Sequence, residues 1–178
     1  MNLANLITLG RLLAVPLVVW LILSRDYTLT FWLFAAASVS DAIDGYVAKH
    51  FNQRSDLGAL LDPIADKTLI VSLFITLGLA GDLPTWLVIL VVFRDLCLMA
   101  ATLLAKFTES RVDISPSLLG KGTTVFQLLY IVLVVILTSR HMDLHLIQPL
   151  LYLVVGFTIL SGLHYLYRGI TRVSPNQV

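Results

Sequence analysis

The stretch Asp41-Ala42-Ile43-Asp44-Gly45-Tyr46-Val47-Ala48-Lys49, followed eight residues later by Gly58-Ala59-Leu60-Leu61-Asp62-Pro63-Ile64-Ala65-Asp66, concentrates acid in an otherwise apolar chain. Five of the eleven acidic residues fall between Asp41 and Asp66. Asp41, Asp44, Gly45 and Ala48 stand at i, i+3, i+4 and i+7, which is one face of a helix. Gly58, Asp62 and Asp66 stand at i, i+4 and i+8, one face of the next. The eight residues between lysine and glycine let the second helix return antiparallel to the first, so four carboxylates can converge between them. Four negative charges at close quarters in low dielectric repel strongly. Either some stay protonated or a cation compensates. Oxygen donors of this kind suit Mg²⁺, Mn²⁺ or Ca²⁺ rather than a soft metal. The two glycines leave room beside the acids for a ligand or for close helix approach. Carboxylates near helix ends also cap helices or face water, and Asp56 is expected to do so. The register of the other four favours a shared site.

Outward from this stretch the chain is greasy. Of 178 residues, 58% are hydrophobic and 13% charged, against about 25% charged in an average soluble domain. Mean hydropathy is +0.90. This excludes an ordinary soluble globular protein and a disordered one. A net charge of +1 gives no electrostatic case for nucleic-acid binding. The single cysteine, Cys97, permits no internal disulfide. Six apolar stretches are predicted as helices, over about residues 12–23, 29–48, 57–80, 84–105, 118–138 and 146–167, the first with a possible start near Asn5. The fold class expected is an all-α integral membrane protein with six transmembrane helices in a single domain, residues 1–178. Lys49 and Arg54 lie between spans two and three, Lys106, Arg111 and Lys121 between four and five, and Arg168 and Arg172 after six; the opposite loops hold only Arg25 and Arg140. The positive-inside rule then places both termini in the cytoplasm. Gly81-Asp82-Leu83-Pro84 punctuates spans three and four. Pro149 falls where a helix start tolerates proline.

The pattern D-x2-D-G-x2-A-K-x8-G-x3-D-x3-D resembles the signature of the CDP-alcohol phosphotransferase family, with Lys49 where the family has arginine. Asn5, Thr8 and Arg11 fall where members often carry a polar opening, and six spans with cytoplasmic termini match the family plan. The resemblance implies transfer of a phosphatidyl group from CDP-diacylglycerol to an alcohol, with CMP leaving. It implies that Asp41, Asp44, Asp62 and Asp66 ligate Mg²⁺ or Mn²⁺, as two divalent ions, and that Asp66 is the general base. Gly45, Ala48 and Gly58 would shape the nucleotide pocket, and Lys49 would take the arginine's part. Lysine lacks the bidentate fork, so donor affinity is what that substitution touches. The family resemblance also implies a homodimer among membrane lipids and an active site facing the cytoplasm, in a bacterial inner membrane or a mitochondrial one.

The acceptor is expected to be anionic and to contain glycerol. Arg94 in span four, with Arg111 and Lys121, could surround its phosphate. Equally, Arg94-Asp95 is a local neutral pair, and Arg111 and Lys121 are cytoplasmic anchors. The run Gly120-Lys121-Gly122-Thr123-Thr124-Val125-Phe126-Gln127 reads as a further phosphate contact. Arg94-Asp95, Asn52-Gln53-Arg54-Ser55 and Ala100-Ala101 resemble the branch that makes cardiolipin from phosphatidylglycerol. The branch that uses glycerol 3-phosphate is the alternative. A cation-coupled transporter or a non-catalytic scaffold is the rival outside enzymes. No internal repeat supports a transporter.

Overall fold

The computed structural model describes the backbone of residues 3–37, 39, 56–107 and 118–173, and side chains mainly over residues 12–37, 67–101 and 119–167. All regular structure among the described residues is helical. The helices are α1 (Leu3–Leu23), α2 (described over Tyr27–Ala37), α3 (Asp56–Ala80), α4 (Thr85–Phe107), α5 (Leu118–Ser139) and α6 (Gln148–Val173). A single 3-10 turn, Leu144–Ile147, leads into α6. Among the described residues two segments are long and apolar enough to cross a bilayer, Leu119–Ser139 and Leu144–Tyr167.

Each odd-numbered helix ends in the same way, and the reason is local. The chain turns through a left-handed residue at Arg25 (φ 61), Gly81 (φ 87) and His141 (φ 54). In each case the next amide reaches back to close the last turn: Asp26 N–H to Leu21 C=O, Asp82 N–H to Leu77 C=O and Met142 N–H to Leu137 C=O, all at 2.9 Å. These are Schellman closures, which satisfy carbonyls that a helix end leaves orphaned. Glycine takes that conformation without strain; arginine and histidine adopt it at a cost. The following helices are capped in turn. Asp26 accepts the Leu29 amide at 3.0 Å, and Asp143 accepts the His145 amide at 2.9 Å, as short polar residues do at helix starts. Pro149 is the second residue of α6, where its missing N–H costs nothing.

These closures gather at one end of the bundle. Arg25 donates to the Ala80 carbonyl at 2.7 Å. The Tyr27 hydroxyl donates to Asp82, and Thr28 and Ser139 share a hydrogen bond at 2.8 Å. The ends of α1, α3 and α5 therefore lie together, with the starts of α2 and α4 beside them. Within the bundle α1 packs on α3, α3 on α4, α5 on α6, and α4 on α6. The core runs from Val18 and Ile22 through Leu73, Phe74 and Leu77 to Leu87, Val91, Val134 and Val154, each no more than 1% exposed. Gly78 brings α3 close to α4, since a methyl built there would meet Val88 Cγ2 at 2.7 Å. The periphery is apolar too: Leu79, Ile89, Phe93, Val125, Leu166 and Trp20 are all more than half exposed. A soluble protein rarely shows so much uncovered hydrocarbon.

Candidate active site

Helix α3 carries the second half of the acidic stretch. It runs unbroken through residues 58, 62 and 66, so their four-residue spacing places them on one side of it. Asp41, Asp44, Gly45, Ala48, Lys49 and Arg111 lie outside the described residues, as do the side chains of Asp62 and Asp66. Among the described residues no group of three or more His, Cys, Asp or Glu side chains is placed to hold a metal. The metal ligands expected from sequence, Asp41, Asp44, Asp62 and Asp66, thus have their side chains outside the described residues.

Next along α3 stands Lys67, and here the side chains are described. Its ammonium donates to both oxygens of Asp95 on α4, at 3.0 and 3.1 Å. Asp95 also accepts from Arg94, its own neighbour in sequence. Successive helix residues point about 100° apart, so Asp95 meets α3 while Arg94 turns to α6. There the guanidinium donates to the Ser161 hydroxyl, and its stem lies over Gly162, where an added methyl would sit 3.9 Å from Arg94 Cγ. Two cations thus share one carboxylate. Asp95 and Arg94 are buried, with side chains 1% and 5% exposed, whereas Lys67 retains 24%. Arg94 Nε is buried and has no hydrogen-bond partner among the described residues.

A second polar seam joins α5 to α6. The Thr123 hydroxyl donates to the carbonyls of Leu119, at 2.8 Å, and Phe157, at 3.1 Å. Gln127 donates to the Thr158 hydroxyl at 3.4 Å, and its Oε1 is buried without a partner among the described residues. Gly122 faces Phe157, whose ring tilts against Phe126 at 4.6 Å between centroids. Thr123 and Gln127, read from sequence as phosphate contacts, thus serve the helix joint. Thr124 returns its hydroxyl to the Gly120 carbonyl at 3.2 Å. Lys121 remains exposed on α5.

The arrangement shows the local-pair reading of Arg94. It is a neighbour pair with Asp95, but the pair extends to α3 and α6. Sequence reasoning missed Lys67 and Ser161. A lysine directly after the last aspartate of the motif, inside an apolar helix, is a signal that points to the first of them. Intramembrane cations are rare without a partner.

The sequence model of the CDP-alcohol phosphatidyltransferase family matches residues 1–160. A Mycobacterium tuberculosis (strain CDC 1551 / Oshkosh) protein named as a probable phosphatidylglycerophosphate synthase is 33% identical, across 97% of this chain and 83% of its own. The cardiolipin synthase (CMP-forming) / mitochondrial hydrolase fusion protein of Schizosaccharomyces pombe is 33% identical across 92% of this chain and 30% of its own length. The human cardiolipin synthase (CMP-forming) is 36% identical across 58% of this chain and 35% of its own. No solved structure matches the chain. With an acidic motif running into α3, and the family's sequence model matching nearly its whole length, the chain belongs to the CDP-alcohol phosphatidyltransferase family.

Proposed function

We propose that the protein transfers the phosphatidyl group of CDP-diacylglycerol to the free glycerol hydroxyl of phosphatidylglycerol, releasing CMP and forming cardiolipin. The observation that carries the reading is the register of the acidic motif, whose last three positions, Gly58, Asp62 and Asp66, fall on the single helix α3, in a chain that matches the family over residues 1–160. Asp66 accepts the proton of the acceptor hydroxyl. The hydroxyl oxygen forms a bond to the phosphatidyl phosphorus as the bond to the CMP oxygen breaks. Two divalent ions, Mg²⁺ or Mn²⁺, held by Asp41, Asp44, Asp62 and Asp66, would supply neutralisation of the charge that grows on the diphosphate. Gly45, Ala48 and Gly58 leave space for the nucleotide, and Lys49 attracts its phosphates as a point charge. Arg94, Arg111 and Lys121 supply positive charge toward an anionic acceptor.

The same reading sets the protein in a membrane as six spans, with both termini and the carboxylates on the cytoplasmic side. The basic loops support it, as does the uncovered apolar periphery. The alternative acceptor, glycerol 3-phosphate, is favoured by one observation: the Mycobacterium tuberculosis relative bearing a phosphatidylglycerophosphate synthase name matches across 97% of this chain. Both acceptors present a glycerol hydroxyl beside a phosphoryl group.

The deciding experiment supplies purified protein with CDP-diacylglycerol, Mg²⁺ or Mn²⁺, and either labelled phosphatidylglycerol or labelled glycerol 3-phosphate. Labelled cardiolipin and stoichiometric CMP are expected from the first. Turnover of glycerol 3-phosphate alone reverses the acceptor, and CMP release with neither removes the reading. Asp66→Asn is expected to fold and to release CMP about 10²–10⁴-fold more slowly.

A further inference from the structure

The Lys67–Asp95–Arg94–Ser161 chain begins one residue beyond Asp66 and ends on α6. Its position is unusual for a structural tie. Removing one partner of a buried pair leaves an uncompensated charge, and an apolar replacement of the whole set is often neutral or stabilising. Stability alone therefore gives little reason for two cations and an anion at this depth. Geometry gives a better one. Helix α3 is fixed at its far end by Gly81 and Asp82. Lys67 lies about 20 Å from that end, at 1.5 Å per residue, and is the first residue beyond the acidic motif whose side chain grips another helix. The grip is two-pronged, since Lys67 Nζ reaches both Asp95 oxygens within 3.1 Å. Such a contact bears on the rotation of α3 about its axis as well as on its distance from α4. Arg94 and Ser161 extend the same constraint to α6.

We propose that Lys67 is a positioning residue for the phosphatidyl-transfer site: through Asp95 it locks the rotation of the α3 turn that bears Asp62 and Asp66. This rests on the reading of those aspartates as metal ligands and base. A misplacement of about 1 Å in such a site costs about 10²-fold in rate. Outer-sphere partners of metal ligands are worth about 10–100-fold in metal affinity.

The test compares wild type with Lys67→Met, Asp95→Asn, the double variant and Lys67→Arg, each purified whole in detergent and checked for its thermal transition. Mn²⁺ binding is titrated directly, and CMP release is resolved into kcat and KM for donor and acceptor. Lys67→Met is expected to lower kcat by about 10–100-fold and to weaken Mn²⁺ binding by about 10-fold, with each KM within about 3-fold of wild type. Lys67→Arg keeps a bidentate donor to Asp95 and is expected to restore most of both. The double variant is expected to be no slower than the worse single one, as for residues acting as a unit.

A raised KM with kcat intact would make Lys67 a substrate contact and overturn the proposal. Losses that multiply in the double variant, or a folded Lys67→Met with wild-type kcat and Mn²⁺ affinity, would overturn it as well. Should Lys67→Met fail to fold, Lys67→Arg combined with Asp95→Glu decides, since a pair that only holds the fold would leave kcat and Mn²⁺ affinity unmoved. A wild-type protein that binds Mn²⁺ but releases no CMP removes the transfer reading and leaves the Mn²⁺ comparison to judge Lys67.

Discussion

Charge is handled in opposite ways at the Asp82 end of the bundle and around Lys67. At the Asp82 end Arg25 is 59% exposed and lies 3.5 Å from an Asp82 carboxylate that is 11% exposed. Water can replace the bonds of the exposed Arg25 guanidinium, and exposed ion pairs contribute about 0–1 kcal/mol. Around Lys67 the carboxylate is 1% exposed and shared by two cations. Between the buried Asp95 and Arg94, only another side chain can replace the bond. The first region is tolerant because solvent stands by as a substitute partner. The second is committed, and its failure transmits to three helices.

Four substitutions test that contrast, beginning with the largest effect. Asp95→Leu strands Lys67 and Arg94 together, and is expected to destabilise the folded protein by about 3–5 kcal/mol. Chemical denaturation in mixed micelles measures this; a loss below about 1 kcal/mol would show that the buried carboxylate is solvated after all. Tyr27→Phe removes the hydroxyl that bridges Arg25 and Asp82, at about 1.5 kcal/mol for bonds to charged groups, and added salt is expected to leave little of the Arg25–Asp82 attraction. His141→Gly is expected to stabilise by about 0.5–1 kcal/mol, because a residue at φ 54 gains from losing its Cβ. The matching change Arg25→Gly relieves the same backbone strain but forfeits the bond to the Ala80 carbonyl, so it is expected to destabilise. Equal effects from the two glycines would mean that the Arg25 contacts contribute nothing.

Helix positions are legible in the sequence because each apolar run ends at polar punctuation. The predicted span 57–80 is α3, Asp56–Ala80, and 118–138 is α5, Leu118–Ser139. The first helix starts at Leu3, earlier than the run from Leu12 but close to the alternative start near Asn5. The sixth differs for a local reason: Asp143 caps a 3-10 turn first, and α6 begins at Gln148. Which side of each helix faces its neighbour is not legible. Where both the core and the surroundings are hydrocarbon, no polar face marks the outside. Val154 is fully buried while Leu153, one residue earlier, is 48% exposed, and nothing in their chemistry separates them.

The candidate site divides along the same line. Spacing within one helix is visible in sequence, so the register alone puts residues 58, 62 and 66 on one side of α3. Pairings between helices obey no spacing rule. Lys67 reaches Asp95 across 28 positions and Arg94 reaches Ser161 across 67. Sequence can therefore nominate Arg94, but not its full set of partners. The threonine-rich run at the start of α5 is ambiguous for a related reason: hydroxyls that suit a phosphate also suit a helix carbonyl, and Thr123 and Thr124 both bond back to their own helix. Helical Ser and Thr commonly do this.

Three left-handed closures at one end have a mechanical meaning. Helix α3, closed at the Asp82 end, can be treated as a lever whose tip lies toward residues 62 and 66. Over the ~20 Å from Ala80 to Lys67, a tilt of about 3° swings that tip by about 1 Å. The fulcrum sits far from the proposed transfer site, so small angular play is magnified where the reacting atoms would align. The tie at Lys67 holds α3 close to its moving tip, where a given force steadies the lever best.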